Sequence, residues 1–120
     1  MRRNKMGAVK TNGFASKMES AGYDWLKLRE KAGEITEIKC QQSVTLAEGN
    51  GHTVRWKLDF SFRIVATDQL EYLEIKGFET QQYRLKLKLY KMRPPAPLTI
   101  MKGTYKRMFV AERIEKCLLK

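Results

Sequence analysis

Asp59, Glu74 and Lys76 are the residues of this sequence whose types and spacing point to chemistry. They fall in the stretch Val54–Lys76, VRWKLDFSFRIVATDQLEYLEIK, which has the period of a β-hairpin. In its first arm Trp56, Leu58, Phe60, Phe62 and Ile64 share one face, and Arg55, Lys57, Asp59, Ser61 and Arg63 share the other. In the second arm Leu73 and Ile75 alternate with Tyr72, Glu74 and Lys76. Both apolar rows must face one core, because a one-residue slip would turn one of them into water. A four-residue turn at Ala66-Thr67-Asp68-Gln69 meets that condition and sets Phe60 opposite Ile75 and Phe62 opposite Leu73. Asp59 then lies opposite Lys76 and diagonal to Glu74, at roughly 7–8 Å between backbones. Two carboxylates converging beside a lysine suit Mg²⁺ and phosphate chemistry, since Mg²⁺ takes hard oxygen ligands. The competing reading is an ordinary Asp59–Lys76 cross-strand ion pair on a solvated face.

The elements that must hold these residues are legible on either side. Ser16-Lys17-Met18-Glu19 is a capping box that opens a helix, with Ser16 as N-cap and Glu19 reaching back to its amide. Phe14, Met18, Ala21, Trp25, Leu28 and Ala32 form its expected apolar stripe, and Gly33 ends it. Glu37 to Leu46 is a strand with Ile38, Cys40, Val44 and Leu46 on its apolar side. Glu48-Gly49-Asn50-Gly51 turns it back antiparallel onto the long arm, and His52 beside that turn reads as a solvated loop residue. Tyr83 to Leu89 alternates like a strand, but Leu, Lys, Gln and Arg favour a helix from Thr80 to Met92 with Leu85, Leu89 and Met92 at helical spacing. Pro94-Pro95-Ala96-Pro97 stops that helix. Leu98 to Met101 is a short strand, and Gly103 separates it from a last helix, Tyr105 to Leu118, that turns Phe109, Val110, Ile114 and Cys117 inward.

Composition bounds the partners. A chain of 120 residues makes one domain, here 14–120 behind a flexible basic arm at 1–13. A formal net charge of +11 favours a polyanionic partner. No apolar run approaches the roughly 20 residues that cross a bilayer, and the basic start lacks the apolar segment of a signal peptide. Two distant cysteines and one histidine make a zinc site implausible and a reducing cytoplasm the default.

The element order, αβββαβ with a mixed, mainly antiparallel sheet and a C-terminal helix, is where a resemblance enters. The spacing Asp59…Glu74-Ile75-Lys76 is similar to the signature of the PD-(D/E)xK nuclease superfamily, whose core is restriction-endonuclease-like. Leu58-Asp59-Phe60, Glu74-Ile75-Lys76-Gly77-Phe78, Thr80 and Tyr83-Arg84-Leu85-Lys86-Leu87-Lys88-Leu89, with Ser16-Lys17 and Glu19, resemble a family of short bacteriophage proteins. That family was long catalogued as a domain of unknown function and is grouped with these nucleases; the likeness covers roughly residues 4–100. One departure is Leu58, where the superfamily motif has proline, a residue that is not a ligand.

The resemblance implies a metal-dependent deoxyribonuclease, a phage-type endonuclease of Holliday-junction-resolvase kind acting in DNA recombination. Asp59, Glu74 and the carbonyl of Ile75 would hold Mg²⁺, with Mn²⁺ able to substitute. Lys76 would orient the attacking water and stabilise charge on the phosphate. Glu19 matches a helical carboxylate that completes the metal site in several members, although the capping box alone accounts for it. Gln41 matches a polar position on the first strand. Arg84, Lys86 and Lys88, with Lys17 and Arg2 and Arg3 of the arm, would bind DNA phosphates. Junction cutting implies a homodimer, and a phage gene implies the cytoplasm of a bacterial host. A non-catalytic nucleic-acid-binding module on the same scaffold, and a basic phage structural or assembly protein, remain the alternatives.

Overall fold

The computed structural model describes residues 16–116. The arm expected at 1–13, with Arg2 and Arg3, and also Phe14 and Cys117, lie outside the described residues. The elements are α1 (Lys17–Lys31), β1 (Ile35–Gly49), β2 (His52–Ile64), β3 (Leu70–Ile75), α2 (Gln81–Met92), β4 (Leu98–Thr104) and β5 (Arg107–Ile114). The expected α-β-β-β-α-β order is present, in one mixed sheet of order β1-β2-β3-β4-β5. β3 and β4 are parallel across the α2 crossover, and the other neighbours are antiparallel. No helix among the described residues is long and apolar enough to cross a membrane.

The expected C-terminal helix is instead β5, which closes a hairpin with β4 around Tyr105-Lys106. Gly103 makes the hairpin: its φ is +117°, and an added Cβ would meet the Arg107 carbonyl oxygen at 2.3 Å. Arg107–Ile114 pairs along its length with β4, with one irregularity opposite Ile100 and Met101, and that pairing outweighs the helical spacing of its apolar residues. Ile114 is buried, whereas Phe109 and Val110 are exposed rather than inward.

Both helices sit one step round from their expected faces. On α1 the inward residues are Ser20, Gly22 and Leu26, while Trp25 is exposed and Leu28 is 67% exposed. Gly22 decides this, because a Cβ there would lie 2.9 Å from Ile75 Cδ1, so the helix can approach β3 only along its glycine. On α2 Tyr83 and Tyr90 face inward with Leu87, leaving Leu85 at 59% and Met92 at 75% exposure. Two aromatic rings at a seven-residue interval bury more surface than the leucines beside them. The helix termini are as expected. Ser16 Oγ accepts from Glu19 N–H at 3.1 Å, Thr80 Oγ1 accepts from Tyr83 N–H at 3.1 Å, and Gly33 at φ +80° ends α1.

The alternating arm of β2 serves two cores rather than one. Phe60 and Phe62 pack with Leu26, Leu73, Ile75 and Met101 on the α1 side. Trp56 and Leu58 pack with Tyr83, Tyr90, Leu98 and Ile100 on the α2 side. The break falls at Asp59. Pairing of β2 with β3 runs from Arg63 to Phe60 and stops there, and on β1 the facing residue, Gln41, has φ +55°. Beyond that level Val44, Trp56 and Leu58 of the β1–β2 ribbon pack in the α2-side cluster. Its tip is a two-residue turn, Asn50-Gly51, with both φ values positive, as a tight hairpin requires.

Candidate active site at the split between β2 and β3

The hairpin register differs from the expected one by two residues. Phe60 pairs with Leu73 and Phe62 with Glu71, because the four-residue turn is Val65–Asp68, one residue earlier than expected, with Asp68 at φ +57°. Parity is preserved, so Asp59 still falls on the face of Glu74, although Trp56 and Leu58 pack in the other core from Phe60 and Phe62. The shift sets Asp59 level with Glu74 rather than with Lys76, which brings the carboxylates closer than the diagonal arrangement would.

Where β2 parts from β3, the two acidic side chains take over the hydrogen bonding of the missing ladder. Asp59 N–H donates to Glu74 Oε1 at 3.1 Å, and Ile75 N–H donates to Asp59 Oδ2 at 2.8 Å. Ile75 thus enters the site through its N–H. The two carboxyl groups are also hydrogen-bonded to each other, and Gln41 hydrogen-bonds Asp59 from β1. Gln41 itself is in the left-handed region, a conformation that costs a non-glycine residue some strain.

Glu74 is 5% exposed. Burial, and then the negative charge of Asp59, push its carboxyl up to about 8. Asp59 is also raised, by burial, with the Ile75 N–H, Glu74, Lys76 and Gln41 opposing. Without a cation the pair therefore shares a proton near neutral pH, Glu74 holding it. Lys76 is half-buried and is the cation acting on Asp59 and Glu74. Its Nζ lies 4.7 Å from the centroid of the Tyr83 ring, a cation–π contact that aims it back over the site. The Tyr83 hydroxyl is buried with no hydrogen-bond partner among the described residues.

Glu19 comes from α1. Its carboxyl is raised by burial first and then by Asp59, and lowered by Lys76, so it lies within electrostatic range of both. Glu19 lies one helical turn before Gly22, and the close glycine contact that rotates α1 also turns Glu19 toward the sheet. The Ser16 half of the expected capping box is therefore present, while the Glu19 carboxylate lies within electrostatic range of Asp59 and Lys76.

Among the described residues no group of three or more His, Cys, Asp or Glu side chains encloses a metal position. Mg²⁺ does not need such a cage, since it is commonly held by one or two carboxylates and keeps several waters. Asp59 and Glu74, side by side and raised chiefly by burial, offer oxygen donors of that kind.

The basic residues expected to bind phosphate are only partly grouped. Arg84, Lys88 and Lys91 share a stripe of α2, but Arg84 pairs with Glu79 at 3.6 Å and Lys91 pairs with Glu112. Lys86 lies to one side of that stripe, and among the described residues neither Lys86 nor Lys88 is in an ion pair. Lys17 sits over the Tyr105 ring at 4.9 Å, at the site end of α1. Sequence reasoning missed Tyr83 as the support of Lys76 and Gly22 as the contact that aims α1. Gly22 carried a signal, because a glycine inside a helix costs about 1 kcal/mol against alanine and calls for a packing reason.

No curated protein matches the chain. A solved structure, "Crystal structure of SSO0001", is similar with a TM-score of 0.46 and 12% sequence identity, over 83% of this chain and 50% of that one. This chain spans half the length of that protein, and a likeness of that degree carries no argument about function. Over residues 2–111 the sequence matches the family described as "Protein of unknown function (DUF1064)", and the chain belongs to that family.

Proposed function

We propose that this protein is a Mg²⁺-dependent nuclease that hydrolyses DNA phosphodiester bonds, with a PD-(D/E)xK-type site made of Asp59, Glu74, Lys76 and Glu19. One observation carries the reading. Buried Glu74 and half-buried Asp59 stand side by side where β2 leaves β3, each hydrogen-bonded by a backbone N–H of the other strand, with Lys76 and Glu19 in electrostatic range of them. Ionising both members of such a pair is expensive unless a cation joins it.

Asp59 and Glu74 would hold the metal, which when bound supplies Lewis-acid stabilisation of phosphoryl charge and a lowered water pKa. Lys76, held against the Tyr83 ring, would donate to a phosphate oxygen and orient the attacking water. The attacking water gives up a proton to solvent as its oxygen bonds to phosphorus, the bond to the leaving ester oxygen breaks, and that oxygen takes up a proton from solvent. Lys17, Lys86, Lys88 and Arg84 contribute contacts to neighbouring phosphates. The preference among DNA structures, and the dimer that junction cutting needs, belong to the same proposal.

The test is incubation with branched, duplex and single-stranded DNA, in Mg²⁺, Mn²⁺ or EDTA. Cleavage is expected with either metal and is lost in EDTA, in Asp59→Asn and in Lys76→Ala, with all three proteins still binding DNA. Cleavage by Asp59→Asn at the wild-type rate would overturn the mechanism. Binding without cleavage by wild type on every substrate would make this a nucleic-acid-binding module on a nuclease scaffold.

A further inference from the structure

Beside the carboxylate pair the chain exposes two aromatic rings on anchored backbone. Phe78 is 80% exposed, only two residues beyond Lys76. Its loop is anchored at both ends. Lys76 N–H donates to Met101 O at 2.9 Å, and Glu79 is bonded by Lys102 of β4 and paired with Arg84. Thr80 then caps α2. Tyr105, 44% exposed, stands at the tip of the β4–β5 hairpin, whose shape Gly103 dictates.

Both rings lie at the same end of the sheet. Ile75 pairs with Met101, so β4 continues past the level of Lys76 through Lys102 and Gly103 to Tyr105. Cations surround them: Lys17 at 4.9 Å and Lys106 at 5.8 Å from the Tyr105 ring, and Lys76 and Lys102 on either side of the Phe78 loop. A solitary exposed aromatic needs no explanation. Two of them, held on fixed loops among lysines next to a site suited to phosphate, match one chemistry: flat apolar faces carried on a polyanion.

We propose that Phe78 and Tyr105 are a stacking platform for unpaired bases of a nucleic-acid strand, so that the substrate presents single-stranded nucleotides to the site. The inference rests on the proposed nuclease reading and deepens it by naming the substrate class. In an intact duplex the base faces are covered by their neighbours, whereas an unpaired base offers a whole face to a ring. Lys17 and Lys106 take the phosphates that accompany the stacked bases.

The experiment measures binding of the full chain in EDTA, where no cut can occur, to three labelled probes. These are a 20-nucleotide single strand, its duplex, and the same strand with abasic sites, which keeps the phosphates but has no base to stack. The wild type is expected to prefer the single strand to the abasic one by roughly tenfold for each ring. Phe78→Ala and Tyr105→Ala should each remove about tenfold of that preference, and the double variant all of it. Phe78→Trp and Tyr105→Trp should retain it and show indole quenching on binding. Trp25→Ala, on the outer face of α1, is the control expected to change nothing. Melting curves accompany each variant.

Equal affinity of the wild type for normal and abasic strands overturns the platform, as does a preference that survives the double variant. Binding to no probe overturns it too. Self-association of the wild type that disappears in the double variant, seen by sedimentation, assigns the rings to a second copy of this chain instead. Cleavage in Mg²⁺ is scored separately. A protein that stacks bases but never cuts defeats the nuclease reading alone, and one that cuts but ignores the rings defeats the platform alone.

Discussion

Asp59 and Glu74 make the folded chain sensitive to pH in a direction opposite to that of a salt-bridged carboxylate. The ordinary value for Glu74 is 4.5 and its value in the fold is about 8. Between those values the folded chain keeps a proton that the unfolded chain has released, so its stability contribution is complete below about pH 4.5 and is lost as pH rises through about 8. In EDTA the melting temperature should fall across that window, by a loss of up to about 5 kcal/mol. Glu74→Gln, neutral at every pH, should flatten the dependence and melt above wild type at pH 8; an equal slope in both proteins would refute the assignment. Mg²⁺ should restore the wild type at pH 8 by binding the folded state and should not restore Asp59→Asn. Glu19→Gln separates cap from catalysis. Ser16 bonds the backbone N–H of Glu19, which the substitution leaves in place. The variant should therefore melt like wild type while cleavage falls roughly 10–100-fold, the scale of a lost partner in a metal site.

At the scale of elements, two glycines do what no side chain could. Gly22 sets how close α1 comes to β3, and so where Glu19 sits. Gly22→Ala trades a gain in helix propensity against pressure on the tip of Ile75, and the net change should be small. Gly22→Leu cannot be absorbed that way. It should destabilise the chain by roughly 1–3 kcal/mol in urea titrations and lower cleavage more than melting alone explains, by displacing Glu19. Gly103 is the stricter case, since φ +117° and the Arg107 carbonyl at 2.3 Å exclude any Cβ. Gly103→Ala should cost about 2 kcal/mol or more and loosen the β4–β5 hairpin, which amide exchange over Arg107–Ile114 would reveal.

For the molecule as a whole, the sheet is a partition with a helix on each face and a separate apolar cluster under each helix. The site occupies the seam where β2 changes from one cluster to the other, which places charged groups among buried ones without cutting through either core. The formal charge of +11 makes association with a polyanion steeply salt-dependent. The logarithm of DNA affinity should fall linearly with the logarithm of salt concentration. Lys88→Ala should weaken binding to all sequences alike and reduce the slope by about 1. A slope unchanged in that variant would take Lys88 off the DNA path.

The sequence by itself determined the parts whose information is local. Period-two alternation marked β2 and β3, and helix propensity with a Thr80 cap marked α2 against its own alternating pattern. Serine and glycine marked the ends of α1. Parity between the two arms placed Asp59 and Glu74 on one face whatever the turn, because a shift of two residues leaves faces unchanged. Tertiary structure alone decided the rest. The turn at Val65–Asp68 set Asp59 level with Glu74, since turn geometry and not pattern selects among registers of equal parity. Gly22 chose the face of α1, Tyr83 and Tyr90 chose the face of α2, and pairing with β4 made Arg107–Ile114 a strand. Each of those outcomes depends on a partner distant in the chain. The split at Asp59 is of the same kind: a strand that reads as one continuous apolar row divides between two cores because each face of the sheet must be covered by its own helix.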